Sequence, residues 1–190
     1  MAVIEEFFPH RVYMQENLLD DESHGKCLAS AEKLYKSYDG DNDFGCLVWS
    51  SINEKPLHND PEWEFLTETV SRHIEWFAKY FDASKPFECK GAWLNVYERN
   101  FYQEKHTHPR THFSAVYFLE ANEDAAPLAM CNPFENQLPI ETNEGFDTIK
   151  IIPPKQNSLI IFPSYLPHYV PSNVSGRRMT VAFNYLQSWQ

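Results

Sequence analysis

What this 190-residue chain lacks narrows its class before any motif is considered. No apolar run approaches the ~18–20 residues that a membrane-spanning helix needs. The opening Met1-Ala2-Val3-Ile4-Glu5-Glu6 has no basic stretch leading into an apolar one, so a secretory leader is not expected. Positive charge is scarce, with 16 Lys and Arg against 27 Asp and Glu and a formal net charge of −11. A surface of that sign disfavours nonspecific binding to nucleic acid or anionic membranes, so neither is an expected partner. The adjacent Arg177 and Arg178 are the local exception. Cysteine is also sparse: Cys27, Cys46, Cys89 and Cys131 form no C-x-x-C pair, which excludes a zinc ribbon and argues against a disulfide framework. Reduced thiols and a cytoplasmic location are the matching expectations. In that setting the sequon Asn173-Val174-Ser175 is idle. There is no repeat, low-complexity tract or linker.

What is present is a core. Apolar residues make up 43% and aromatics 15%, enough for one folded domain over 1–190. Its texture changes near Pro86, suggesting a strand and helix scaffold over 1–86 and a β core over 87–190. Residues 3–14, with Phe7-Phe8-Pro9, read as a short strand bent or edged by proline. Asp20, Asp21 and Ser23 are N-cap candidates for a helix reaching about Tyr38, where Asp39-Gly40-Asp41-Asn42 stops it. Leu47-Val48-Trp49 reads as a strand. Asp60 as N-cap and Pro61 at the first helical position open a second helix. Its apolar stripe of Trp63, Leu66, Val70, Ile74, Phe77 and Phe81 is built to lie on a sheet. Both helices read as scaffold.

After Phe87 about eight short strands follow, a pattern expected of a double-sheet jelly roll buttressed by helices on one outer face. Residues 134–148 are polar and aperiodic, a length that suits a lid or binding loop.

The chemistry gathers around His106-Thr107-His108-Pro109. Residues i and i+2 of a strand leave the same face, so two imidazoles so spaced can converge on one metal ion. His168 follows Phe162-Pro163 at the end of another strand, where a jelly roll can bring it alongside. His112 shares the parity and is a candidate pocket residue, although Pro109 interrupts the run. His10, His24, His58 and His73 read as ordinary packed or solvated histidines. Imidazole suits several transition metals and does not choose among them. Arg178 helps to choose. A guanidinium inside a barrel needs an anion, and its fork matches a carboxylate. Thr180 points the same way two residues on. A metal beside an Arg-x-Thr clamp is what a dicarboxylic 2-oxo acid requires, with chelation at one end and a salt bridge at the other.

The order H-x-H, then F-P-S-x-L-x-H, then R-x-T-x-x-F-N, over roughly residues 90–184, resembles the Fe(II)- and 2-oxoglutarate-dependent oxygenases. It is most similar to the branch that carries His-x-His-Pro where most relatives carry His-x-Asp. Tyr97 also stands nine residues before His106, as in the prolyl-hydroxylase-like relatives. The resemblance implies a double-stranded β-helix, with Fe(II), 2-oxoglutarate and O2 as cofactor and co-substrates. It implies His106 and His168 as iron ligands, with His108 in the place of the carboxylate. Arg178 would bind the distal carboxylate of 2-oxoglutarate, assisted by Thr180 and by Tyr97 or Asn95. The activity implied is hydroxylation of an unidentified small-molecule or protein substrate, with release of succinate and CO2. Asn136 and Gln137 in the 134–148 loop would cap that substrate.

Three departures from the branch stand out. His108 replaces an anion with a neutral ligand. Phe118 stands where a tyrosine is usual. Asn132-Pro133-Phe134 replaces a D-P-R turn and so removes an arginine. The residues alone leave two alternatives open: a three-histidine enzyme that does not use 2-oxoglutarate (an iron dioxygenase or a zinc hydrolase), and a non-catalytic cupin-like binding protein.

Overall fold

Two antiparallel sheets face one another, and the first half of the chain contributes a strand to each edge of the larger one. The computed structural model describes residues 10–37, 46–54, 56–134, 148–174 and 176–188. Ten strands lie among the described residues: β1 (Tyr13–Glu16), β2 (Trp49–Ser50), β3 (Phe87–Tyr97), β4 (Gln103–His106), β5 (Phe113–Glu120), β6 (Leu128–Cys131), β7 (Ile149–Ile152), β8 (Ser158–Pro163), β9 (His168–Val170) and β10 (Arg178–Gln187). The larger sheet runs β1-β8-β5-β10-β3-β2 and the smaller β4-β9-β6-β7. This is the expected double-stranded β-helix, or jelly roll.

Helix α1 (Asp21–Tyr35) starts where the Asp20 carboxylate accepts the Ser23 N–H at 2.8 Å. Asp21 and Glu22 occupy its positive end. Before helix α2 (Glu64–Ala78), Asp60 accepts the Glu62 N–H at 3.0 Å and opens a 3-10 turn over Pro61–Trp63. Leu66, Val70, Ile74 and Phe77 of α2 are buried against the larger sheet. Each side chain so buried contributes roughly 1.5–3 kcal/mol.

Strand alternation then divides the large sheet into two faces. Ala92, Leu94 and Val96 of β3, Ala115, Tyr117 and Leu119 of β5, and Met179, Val181 and Phe183 of β10 pack under the helices. Val116 and Phe118 of β5, Ile160 and Phe162 of β8, and Leu128 and Met130 of β6 fill the space between the sheets. The β10 residues of opposite parity, beginning with Arg178 and Thr180, therefore face the interior of the jelly roll.

Several boundaries differ from expectation. The first described strand is Tyr13–Glu16, set by pairing with β8 from Tyr13↔Ile161 to Glu16↔Ser158; residues 3–9 of the expected strand lie outside the described residues. The strand expected at Leu47–Trp49 forms at Trp49–Ser50, where β3 offers partners in Val96 and Asn95. Helix α1 ends at Tyr35, and the expected stop at residues 39–42 lies outside the described residues. Phe81 leaves the buried stripe because a 3-10 turn over Lys79–Phe81 rotates it outward, and Asp82 then ends the turn with φ 52°.

Candidate metal centre

His106 is the last residue of β4 and His168 the first of β9, and the two are directly opposite in the antiparallel ladder. Their ring centroids are 4.3 Å apart. His108 completes the group at 5.0 Å from His106 and 5.1 Å from His168. One ligand-capable atom of each residue lies within 4.8 Å of the others. The route to this convergence is not the regular strand that the i, i+2 spacing suggested. The ladder shifts register between Gln103 and His106, and β4 ends there. His108 is held instead by its own N–H, which donates to the Ser164 carbonyl at 3.0 Å across to the end of β8.

Backbone carbonyls orient two of the rings. His106 Nδ1 lies 2.7 Å from the Glu104 oxygen and His168 Nδ1 2.9 Å from the Leu166 oxygen. A carbonyl only accepts, so each Nδ1 carries the proton and each Nε2 presents its lone pair. Burial lowers the pKa of His106. Burial, then the neighbouring His106, lowers His108 to about 4 and His168 to about 3. All three imidazoles are therefore neutral near pH 7, the state a metal ligand needs. Two neutral imidazoles with lone pairs fixed in this way, and the neutral ring of His108 beside them, fit a transition-metal dication.

Arg178 lies in the same interior, opposite Tyr97 in the β10–β3 ladder, while Thr180 lies opposite Asn95. Arg178 is 1% exposed, and its guanidinium sits 4.6 Å from the Tyr97 ring centroid and 5.1 Å from that of Phe118. The Nε and Nη1 atoms have no hydrogen-bond partner among the described residues. Burial pulls its pKa down, opposed by Tyr97. A buried cation without a carboxylate beside it costs several kcal/mol, and none of the described residues supplies one here, so this position fits a bound anion. His106, His108, His168, Arg178, Thr180, Tyr97 and Asn95 all line one cavity of about 300 Å³. Among the described residues that line it there is no Asp or Glu.

Not every candidate reaches the site. His112 is exposed: its ring packs on Phe87, and its Nδ1 accepts the Gln187 N–H at 3.0 Å. The proline turn after His108 rotates it out of the pocket, so its parity was misleading. Asn136 and Gln137 lie outside the described residues. Sequence reasoning missed Trp93, 5.8 Å from His108 between ring centroids, and the polar cluster of Ser114, Ser164 and Asn184 behind it. Asn184 shares the parity of Arg178 and Thr180, the one signal that could have placed it.

Comparison with known proteins agrees with this geometry. A family profile described as "Putative 2OG-Fe(II) oxygenase" matches residues 91–184, a span that includes every residue named above for the cavity. The chain belongs to the 2OG-Fe(II) oxygenases. As a member of that family the enzyme uses Fe(II), 2-oxoglutarate and O2. No curated protein matches the oxygenase by sequence. Among solved structures it is similar to a Pseudomonas putida prolyl-4-hydroxylase, at 14% identity, 94% coverage of each chain and a TM-score of 0.69. It is also similar to a Trichoplax adhaerens prolyl hydroxylase in complex with a hypoxia inducible factor peptide (14% identity; 92% of this chain and 83% of that one; TM-score 0.66). A third is HygX from Streptomyces hygroscopicus with nickel and 2-oxoglutarate bound (10% identity; 95% and 84%; TM-score 0.64). At these identities the likeness speaks to the shared fold.

Proposed function

We propose that this oxygenase hydroxylates its substrate at a centre whose iron is held by His106, His108 and His168, with 2-oxoglutarate anchored on Arg178. The observation that carries the reading is the buried guanidinium with Nε and Nη1 unpaired, in one cavity with three neutral, converging imidazoles. The distal carboxylate of 2-oxoglutarate would take those two donors, and the Thr180 hydroxyl would add a third contact from the same strand. Tyr97 and Asn95 stand opposite on β3 and wall the same end of the cavity. When bound, the iron supplies the redox chemistry that couples O2 reduction to decarboxylation of 2-oxoglutarate and oxidation of substrate.

The chain's own contribution is binding and orientation. Three neutral ligands leave the metal's formal +2 undiminished, and Arg178 adds a further positive charge nearby. With no carboxylate among the described residues that line the cavity, a dianionic co-substrate is the complementary guest. Phe118, in the place of the usual tyrosine, offers its ring face to Arg178 and no hydroxyl to the co-substrate.

The test is release of succinate and CO2 from 2-oxoglutarate under Fe(II), ascorbate and O2, together with binding of 2-oxoglutarate to the anaerobic Fe(II) protein. Wild type should bind and turn over 2-oxoglutarate slowly without substrate, and Arg178→Ala should lose at least tenfold in affinity. Failure of 2-oxoglutarate to bind or to raise the melting temperature of the iron-loaded protein would overturn the reading.

A further inference from the structure

The three histidines are not held alike. The outer nitrogens of His106 and His168 face backbone carbonyls, which fix one tautomer. The outer nitrogen of His108 faces a side-chain amide instead: Nδ1 lies 3.3 Å from Asn184 Nδ2. In this orientation the amide N–H points at His108 Nδ1, so the proton of the neutral ring belongs on Nε2. A ring in that tautomer has its lone pair turned toward Asn184 and an N–H toward the other two imidazoles. It does not offer a lone pair to a metal there.

The amide's surroundings allow the opposite arrangement with every neighbouring heavy atom left in place. Asn184 Oδ1 accepts from Ser114 Oγ at 2.8 Å, and Ser114 Oγ lies 2.9 Å from Ser164 Oγ. Between the two hydroxyls either oxygen can be the donor. If the amide turns by 180°, its oxygen accepts from His108 Nδ1–H and its nitrogen donates to Ser114 Oγ. Ser114 then donates to Ser164. Every member stays satisfied in both states, and an amide's two ends fill nearly the same space. The β10–β3 ladder changes register immediately after Asn184, between it and Tyr185, the kind of irregularity that re-aims a side chain. The backbone on the far side of the same ring is tied to Ser164 as well, through His108 N–H to Ser164 O at 3.0 Å.

We infer that Asn184 is a positioning residue whose amide orientation, relayed by Ser114 and Ser164, sets the His108 tautomer and so decides whether the third imidazole binds metal. The inference rests on the reading of His108 as a ligand. It predicts that the metal-bound state holds Asn184 with its oxygen toward His108 Nδ1. Metal binding and amide rotation are then one coupled event at His108, whereas His106 and His168 bind without rearrangement.

The test is Co(II) affinity by titration, read with the visible ligand-field spectrum, for wild type, His108→Ala, Asn184→Ala, Asn184→Asp and the double variant His108→Ala/Asn184→Ala. Asn184→Ala should weaken Co(II) by ten- to a hundredfold, the range for losing the partner of a ligating histidine. Asn184→Asp, an acceptor in either orientation, should keep affinity within a few fold of wild type. In the His108→Ala background, Asn184→Ala should change nothing further. If His108→Ala binds Co(II) as tightly as wild type, the three-histidine reading itself fails. If His108→Ala weakens binding but Asn184→Ala does not, or if its effect persists without His108, only the role of Asn184 is overturned. A readout independent of any variant's folding is nitrogen NMR of the wild-type histidines with and without Zn(II). His106 and His168 should be Nδ1–H in both states, and His108 should move from Nε2–H to Nδ1–H on binding. A Zn(II)-bound His108 that remains Nε2–H would overturn the inference.

Discussion

His106 and His168 are partners in one antiparallel ladder, directly opposite each other at the junction of β4 and β9. Because the pairing is backbone-encoded, the site exists before any metal arrives. Burial keeps its rings neutral rather than letting protons occupy the lone pairs.

That neutrality sets a pH dependence. The folded pKa values of His108 and His168, about 4 and about 3, lie below the ordinary 6.5. Above pH 6.5 both folded and unfolded rings are neutral and stability is at its full value. Below it the unfolded chain takes up protons that the fold excludes, so stability falls as pH drops from 6.5 toward 4 and 3. Linkage makes the loss roughly 1 kcal/mol per pH unit for each histidine. Denaturant melts of the metal-free protein from pH 7.5 to 4.5 check this, and His168→Gln should flatten the slope.

Arg178 should stabilise the loaded protein and destabilise the empty one. Its guanidinium is buried with Nε and Nη1 unpaired, so Arg178→Met should raise the ligand-free melting point, by on the order of 1 kcal/mol or more in stability. The same substitution should abolish the rise that 2-oxoglutarate produces in the metal-loaded protein. Paired thermal melts with and without 2-oxoglutarate measure both signs at once.

Asn173 has a structural occupation that its sequon conceals. Its fully buried side chain accepts the Ala126 N–H at 3.0 Å and donates to the oxygens of Tyr97 at 3.0 Å and Gly176 at 2.7 Å. Asn173→Ala leaves these groups without a partner and should cost about 2–3 kcal/mol. Equilibrium unfolding in urea gives the figure, and proteolysis should show the 171–177 region opening first.

Helix α2 should matter to stability and not to chemistry. Ile74 is fully buried between α2 and the large sheet, away from the cavity. Ile74→Ala should cost about 2–5 kcal/mol while leaving 2-oxoglutarate affinity of the folded protein unchanged. Urea unfolding and a binding titration below the transition separate the two effects.

Local order and the site's chemical vocabulary were both legible from the chain itself. Capping at Asp20 and Asp60, the stripe of α2 and the alternation of β5 and β10 are short-range consequences of backbone geometry and solvent contrast, so they can be read residue by residue. The same alternation put Arg178 and Thr180 on one face, and the family motifs carried His106, His108 and His168 together. It misjudged His112 and Phe81, each turned outward by a local break, the proline turn in one case and a 3-10 turn in the other. Only the tertiary structure decided that His106 and His168 are opposite partners, that two guanidinium nitrogens go unpaired, and that Asn184 reaches His108. Those facts depend on strand order and on register shifts in two ladders, β4–β9 and β10–β3, and no local periodicity encodes which distant strand a residue will meet. His108 marks the division most clearly. Its spacing from His106 announced a shared face, yet the strand ends first, and a hydrogen bond to Ser164 across the sheet edge brings it into place.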